Sequence, residues 1–156
     1  ESIGRDVFLA ADLLHEAAQT VEPLMRERNI EFVTVNGVND SILVGSRKAL
    51  FGALVNLLEN AMQATPAGGK ICLTGNSSGD QLALSVRDTG SGIDADKQAR
   101  IFEPFFTTKG QGTGLGLAIA QGVARAHGGA IELSTALGQG AEFVMRLPMG
   151  TAENES

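Results

Sequence analysis

The chain has 156 residues, a length suited to one domain, and its 43 % hydrophobic and 19 % charged residues suit a packed core and exclude disorder across the whole chain. Its net charge of −6, from 12 basic and 18 acidic residues, argues against a nucleic acid or anionic membrane held by a broad basic field, but not against a nucleotide, whose phosphates need only local donors. The lone cysteine, Cys72, excludes an internal disulfide and a cysteine-rich zinc site, and no apolar run approaches the ~18 residues that a membrane span requires.

Apolar residues recur at helical spacing from Phe8 to Arg28, through Leu9, Leu13, Leu14, Ala17, Val21, Leu24 and Met25, with Asn29 as the stop. Residues 30–35 read as a strand and 42–44 as a second, short one. Ser46 is the expected N-cap of a long helix ending near Ala64, with Leu50, Leu54, Leu57, Leu58 and Ala61 as its apolar stripe and Pro66, Gly68 and Gly69 beyond it. Residues 70–76 and 82–88 form a predicted hairpin around a Ser-Ser-Gly-Asp turn. A short helix is expected over 94–102, a loop over 103–114, and a third long helix over 115–127, stopped by Gly128 and Gly129. Strands over 130–136 and 141–147 close the pattern, and the polar segment 150–156 is expected to be a disordered tail. This order predicts an α+β two-layer sandwich, a mixed sheet with helices on one face. No signal-peptide pattern opens the chain, and Glu1 stands where an initiator Met would, so a piece of a longer protein is expected.

Four stretches carry candidate chemistry. On the long helix, Asn56 and Asn60 lie four apart and so share a face, with Gln63 close by. Asn competes for backbone groups and is a mediocre helix former, so two on one face suggest an oxygen-rich ledge for Mg²⁺; a merely solvated face is the alternative. Asp88-Thr89-Gly90-Ser91-Gly92-Ile93 delivers a carboxylate to a strand end and turns on two glycines. It suits a base with an exocyclic amine, with Thr89 supporting a bridging water, or else is an ordinary strand-ending turn. Residues 102–109 (FEPFFTTK) combine Phe102, Phe105 and Phe106, which can anchor a loop, with Lys109, a point charge suited to phosphate or simply solvated. Residues 110–117 (GQGTGLGL) then run into the third helix. Glycines at 112, 114 and 116 let backbone N–H groups approach an anion at a helix N-terminus, where partial positive charge accumulates; a structural hinge is the alternative. The stretch is neither a P-loop, lacking Gly-Lys-Ser/Thr, nor the dinucleotide fingerprint, since Leu117 stands where a glycine is required. Residues 138–143 (GQGAEF), taken alone, are a hairpin turn.

The ordered set resembles the catalytic and ATP-binding domain of bacterial sensor histidine kinases, within the GHKL ATPase superfamily of gyrase, Hsp90-type chaperones and MutL. NLLENA, DTGSGI, EPFFTTK, GTGLGL and GQGAEF resemble that family's N, G1, F, G2 and G3 boxes. The short link between the last kinase-specific stretches is similar to nitrogen-regulation kinases with a compact ATP lid. The resemblance implies a mixed five-stranded sheet with three helices on one face and a catalytic domain over residues 1–149, with phosphoacceptor and sensor domains absent. It implies ATP and Mg²⁺ as cofactors. Asp88 would take the adenine amine, with Gly90 and Gly92 shaping the turn beneath the base, and Ile93 and Phe102 would also belong to the nucleotide site. Asn60 would ligate Mg²⁺, and Asn56, beside the metal and phosphates, is a second candidate ligand. Thr108, Lys109, Gly112, Thr113, Gly114, Leu115, Gly116 and Leu117 would surround the phosphates, with 104–113 as the lid. Asn56, Asn60 and Lys109 are thus the implied catalytic set, in a reaction that depends on positioning and electrostatics.

The implied activity is transfer of the γ-phosphoryl group to a histidine on a separate dimerisation domain and, through it, to a response regulator. The expected location is the cytoplasm, whether or not the parent is membrane-anchored, with no nucleic acid or direct membrane contact. His15-Glu16 matches the acceptor signature only superficially, since Ala17, Ala18 and Gln19 follow. His127 is expected to favour a helix C-terminus electrostatically. The chain is therefore expected to be monomeric and not to phosphorylate itself. The competing reading is a nucleotide-binding regulatory module, an anti-sigma-factor-like serine kinase or a pseudokinase. The intact Asn56, Asn60, Asp88 and Lys109 weigh against a dead site, and EPFFTTK against the serine kinase. Asn at 56 also lacks the general-base carboxylate of a chaperone-type ATPase.

Overall fold

The computed structural model describes residues 5–104, 116–135 and 138–150. In chain order the elements are β1 (Asp6–Leu9), α1 (Ala10–Glu27), β2 (Glu31–Gly37), β3 (Ile42–Gly45), α2 (Arg47–Ala64), β4 (Lys70–Ser78), β5 (Gln81–Asp88), the single-turn α3 (Ala95–Gln98), α4 (Gly116–Ala126), β6 (Ala130–Thr135) and β7 (Ala141–Pro148). Five strands form one sheet in the order β2-β4-β5-β7-β6, with β2 and β4 parallel and the other neighbours antiparallel. β1 and β3 form a separate two-stranded ribbon.

Strand side chains alternate between faces, so one face of the sheet is set by every second residue. Ile71 and Leu73 on β4, Leu82, Leu84 and Val86 on β5, and Phe143 and Met145 on β7 are all 0 % exposed. They meet the stripes of the helices: Leu13, Leu14 and Val21 of α1, and Leu50, Leu54, Leu57 and Leu58 of α2. Each such fully buried aliphatic side chain contributes about 1.5–3 kcal/mol. α1 packs over β2 and β4, α2 over β5, and α4 over β6 and β7, so α2 is the central helix and touches both others. Cys72, Thr74, Ser85, Arg87, Glu142 and Arg146 point to the opposite, partly exposed face. There the Cys72 Sγ lies 3.5 Å from the Thr74 hydroxyl.

The expected α+β sandwich is therefore present, with local departures. The first helix begins at Ala10, because Asp6–Leu9 are drawn into pairing with β3, which never joins the main sheet. The helix stop at Asn29 is made by its left-handed φ of 57° and by Ile30 N–H donating to Met25 O at 2.9 Å. Ser46 caps α2 as its sequence suggests, its Oγ accepting from Ala49 N–H at 3.1 Å. α3 has only four residues where nine were expected; turns continue to Pro104. Gly150 donates to Ile42 O at 2.8 Å, so pairing extends into the start of the expected tail, whose remainder lies outside the described residues.

The two histidines differ. His15 is exposed on α1. His127 follows α4, and its role departs from the electrostatic one expected. Its Nε2 accepts the Ser46 N–H at 3.0 Å while its Nδ1 lies 2.8 Å from Val123 O. Nε2 as acceptor and Nδ1 as donor define a neutral tautomer, so the ring serves as a hydrogen-bonded bridge between the end of α4 and the start of α2. Gly45 makes room for it: a Cβ there would stand 2.3 Å from His127 Cδ2.

Two glycine substitutions test this packing. Gly122 is exposed inside α4 with nothing within 4 Å of a Cβ, so Gly122→Ala is expected to stabilise by about 1 kcal/mol through helix propensity. At Gly129 a Cβ would fall 1.8 Å from Arg146 O, so Gly129→Ala is expected to destabilise by about 1–3 kcal/mol. Urea unfolding midpoints moving in the same direction for both would contradict the packing described.

Candidate nucleotide site

The last residue of β5 continues the apolar face of that strand. Leu82, Leu84, Val86 and Asp88 alternate onto the buried side, so the strand delivers a carboxylate into the helical layer, and Asp88 is only 2 % exposed. A buried carboxylate requires donors. Asp88 Oδ1 accepts the N–H of Gly90 at 2.8 Å and that of Ala141 at 3.3 Å. The first belongs to the glycine turn after β5 and the second to the start of β7, so two segments far apart in sequence hold one oxygen.

Glycine is required where these segments close on the strand. A Cβ at Gly90 would lie 2.2 Å from the carbonyl oxygen of Ala64, the last residue of α2. Gly140, with a φ of +78°, would place a Cβ 2.1 Å from Asp88 O. The Thr89 hydroxyl accepts Lys70 N–H at 3.0 Å, which ties the turn to β4. Gly92 has a φ of +79°. Ile93 is half-buried against the core; its carbonyl accepts from Gln98 Nε2 at 2.9 Å and its N–H donates to Thr135 Oγ1 at 3.1 Å. Phe102 stands edge-on to the buried Phe143, ring centroids 6.1 Å apart at 86°.

The α2 ledge runs toward this turn. Asn56, Asn60 and Ala64 are spaced four and four, so they follow roughly one side of the helix over about 12 Å. At one end Asn56 Nδ2 donates to the carbonyl of Gly116, the first residue of α4, at 3.2 Å. At the other end the Ala64 carbonyl lies against Gly90. Asn60 sits between, half-buried, its side chain with no hydrogen-bond partner among the described residues. Gly116 and Leu117 are partly buried, and Leu117 packs against the core.

The structure thus brings the Asp88 turn, through Gly90, against the end of α2, and joins Asn56 to Gly116 further back along it, while Ile93 is held by Gln98 and Thr135 and Phe102 stands against Phe143. Thr108, Lys109, Gly112, Thr113, Gly114 and Leu115 lie outside the described residues, as do Phe105 and Phe106. Sequence reading missed Gln98, Thr135 and Ala64 as supports of the turn. Nothing local marks Thr135 or Ala64, because the Thr135–Ile93 link spans 42 positions and the Ala64 contribution is a backbone oxygen; Gln98 acts on Ile93 from five residues away.

Residues 45–151 match the family described as histidine kinase-, DNA gyrase B-, and HSP90-like ATPase. The chain belongs to that family, as a histidine kinase catalytic domain. It is 39 % identical over 145 residues, 92 % of its length, to the signal transduction histidine-protein kinase AtoS of Escherichia coli strain K12, of which it covers 24 %. It superposes on the nucleotide-free catalytic domain of histidine kinase ThkA with a TM-score of 0.84 at 33 % identity, covering 92 % of this chain and 95 % of that one. Full-length ShkA in complex with AMPPNP gives a TM-score of 0.86 at 35 % identity over 97 % of this chain and 33 % of that one. The chain spans about a quarter to a third of the length of the curated relatives AtoS and ZraS. Family membership makes this an ATP-binding fold.

Gly90→Ala is expected to force the turn off the end of α2, lowering the thermal unfolding midpoint and weakening nucleotide binding together. Unchanged binding by the alanine variant would show that the contact with Ala64 does not shape the site.

Proposed function

We propose that this chain binds Mg·ATP and transfers the γ-phosphoryl group to a histidine on a separate dimerisation and phosphoacceptor domain. The observation that carries this reading is the buried Asp88 carboxylate, pinned by the Gly90 and Ala141 amides at the end of β5. A carboxylate so held is an acceptor of fixed direction, suited to an exocyclic amine such as that of adenine. The AMPPNP complex of ShkA supports a nucleotide of this class.

The donor set fits a metal shared with phosphates. Among the described residues no group of three or more His, Cys, Asp or Glu side chains could hold an ion unaided. Asn60 offers a half-buried amide oxygen on the ledge between the Asp88 turn and α4, and Mg²⁺ commonly takes one or two protein oxygens with phosphate and water completing the shell. Bound there, the ion would neutralise phosphate charge. Asn56 holds the first residue of α4 through Gly116 O and so orients the helix start toward which the phosphates are assigned. Lys109 and the amides around Gly112, Gly114 and Gly116 are the proposed remaining phosphate contacts.

In the transfer, the bond between the γ-phosphorus and the β–γ bridging oxygen breaks, a phosphorus–nitrogen bond to the acceptor imidazole forms, and ADP leaves. The acceptor domain, and through it a response regulator, are the proposed partners. A cytoplasmic setting is proposed on the nucleotide requirement; no helix among the described residues is long and apolar enough to cross a membrane.

Calorimetric titration with ADP, ATP and GTP, with and without Mg²⁺, tests the site. Adenine-selective binding that tightens with Mg²⁺ is expected. Asp88→Asn is expected to abolish the preference for ATP over GTP, and unchanged ATP affinity would sink the assignment. Asn60→Ala is expected to remove the Mg²⁺ dependence; binding as metal-dependent as before would remove Asn60 from the ion's shell. Incubation with a separately supplied histidine-bearing hairpin domain is expected to give an acid-labile phosphate on that domain. An acid-stable phosphate would indicate a hydroxyl acceptor instead.

A further inference from the structure

We propose that Thr135 is a positioning residue for the nucleotide base, acting through the Asp88 carboxylate. The inference rests on the adenine reading of the Asp88 turn and adds a residue outside that turn. Thr135 is the last residue of β6 and pairs with Ala141, the first of β7. It follows Ile131 and Leu133 on the strand's inner face, where a valine would match its shape. A hydroxyl on that face needs partners, and this one uses both its capacities. It accepts the Ile93 N–H at 3.1 Å and donates to Gly140 O at 2.6 Å.

These two partners belong to the two segments that hold the carboxylate. Ile93 closes the glycine turn whose Gly90 amide binds Asp88 Oδ1. Gly140 precedes Ala141, whose amide binds the same oxygen. The hydroxyl therefore joins the turn to the hairpin, and the angle between the two amides that aim the carboxylate depends on that joint. Among the described residues, Gly138 N–H to Ser91 O at 2.6 Å also connects the segments, through backbone alone.

The chain with valine, serine or alanine at position 135 separates this role from packing. Valine keeps the shape and loses the hydroxyl; serine and alanine both lose the methyl and differ only in the hydroxyl. Calorimetry with ATP and GTP and amide exchange at Ile93 are the readouts. Thr135→Val is expected to weaken ATP binding by about tenfold, the scale of leaving a half-buried N–H unpaired, and to narrow the ATP-over-GTP preference. It should also speed exchange of the Ile93 amide while the β4–β5 amides stay protected. Thr135→Ser is expected to retain binding, preference and slow exchange, and Thr135→Ala to lose them, which carries the comparison even if the valine variant does not fold. A hydroxyl-free variant with wild-type preference and affinity would overturn the role while leaving the adenine reading intact. A wild-type chain with no preference for ATP over GTP would overturn that reading and the role with it.

Discussion

The arrangement of the site depends on one carboxylate in an apolar layer. Burial of a carboxylate is costly unless hydrogen bonds replace the lost water, and a single backbone amide replaces little of it. Asp88 receives amides from the turn that follows it and from β7, more than fifty residues later. The second donor is available only if the β6–β7 hairpin is seated against the end of β5, so the charge and the sheet order support each other. The glycines at 90 and 140 follow from the same constraint. Both stand where backbone meets backbone so closely that a Cβ would fall about 2 Å from a carbonyl oxygen, 2.2 Å at Gly90 and 2.1 Å at Gly140.

α2 converts this local arrangement into a site with length. It is the central helix, with a buried stripe of Leu50, Leu54, Leu57 and Leu58 that fixes its rotation about its own axis. That rotation leaves Asn56 and Asn60 on the flank between the Asp88 turn and α4. Asn residues weaken a helix interior by competing for its backbone, a cost of a few tenths of a kcal/mol each that packing of the stripe offsets. Asn56 spends its amide N–H on Gly116, whereas Asn60 has no protein partner among the described residues. The first therefore serves to place α4, and the second remains available to a ligand.

Much of this was legible because its causes are local. The Ser46 cap, the α2 stripe, the β4–β5 hairpin and the carboxylate at the end of β5 each follow from periodicity, capping or turn chemistry within a few residues. The ordered motifs added the identity of the fold. What could not be read has non-local causes. Phe8 and Leu9 carry the start of the helical pattern but, with Asp6 and Val7, are captured by β3, more than thirty residues away, so the sequence signal gives way to strand pairing. His127 reads as a helix-terminal cation, yet Ser46, 81 positions earlier, presents it with an N–H and so selects the neutral ring. Thr135 reads as an ordinary strand residue because its two partners come from separate turns.

His127 also shows how the two ends of α4 are governed. Asn56 holds the first residue of that helix and the His127 ring ties its far end to the cap of α2, so α4 is attached to the same helix at both ends. Between them Gln121 exchanges two hydrogen bonds with the backbone of Ile131 on the edge strand β6, at 3.0 and 2.7 Å. An edge strand otherwise presents unpaired backbone groups, and here a helix side chain satisfies one pair of them. The helix is thereby fixed to α2 and to the sheet by side chains at its start, middle and end. Its N-terminus, where backbone dipoles favour negative charge, is in consequence held in register with the Asp88 turn by the same scaffold that buries the carboxylate.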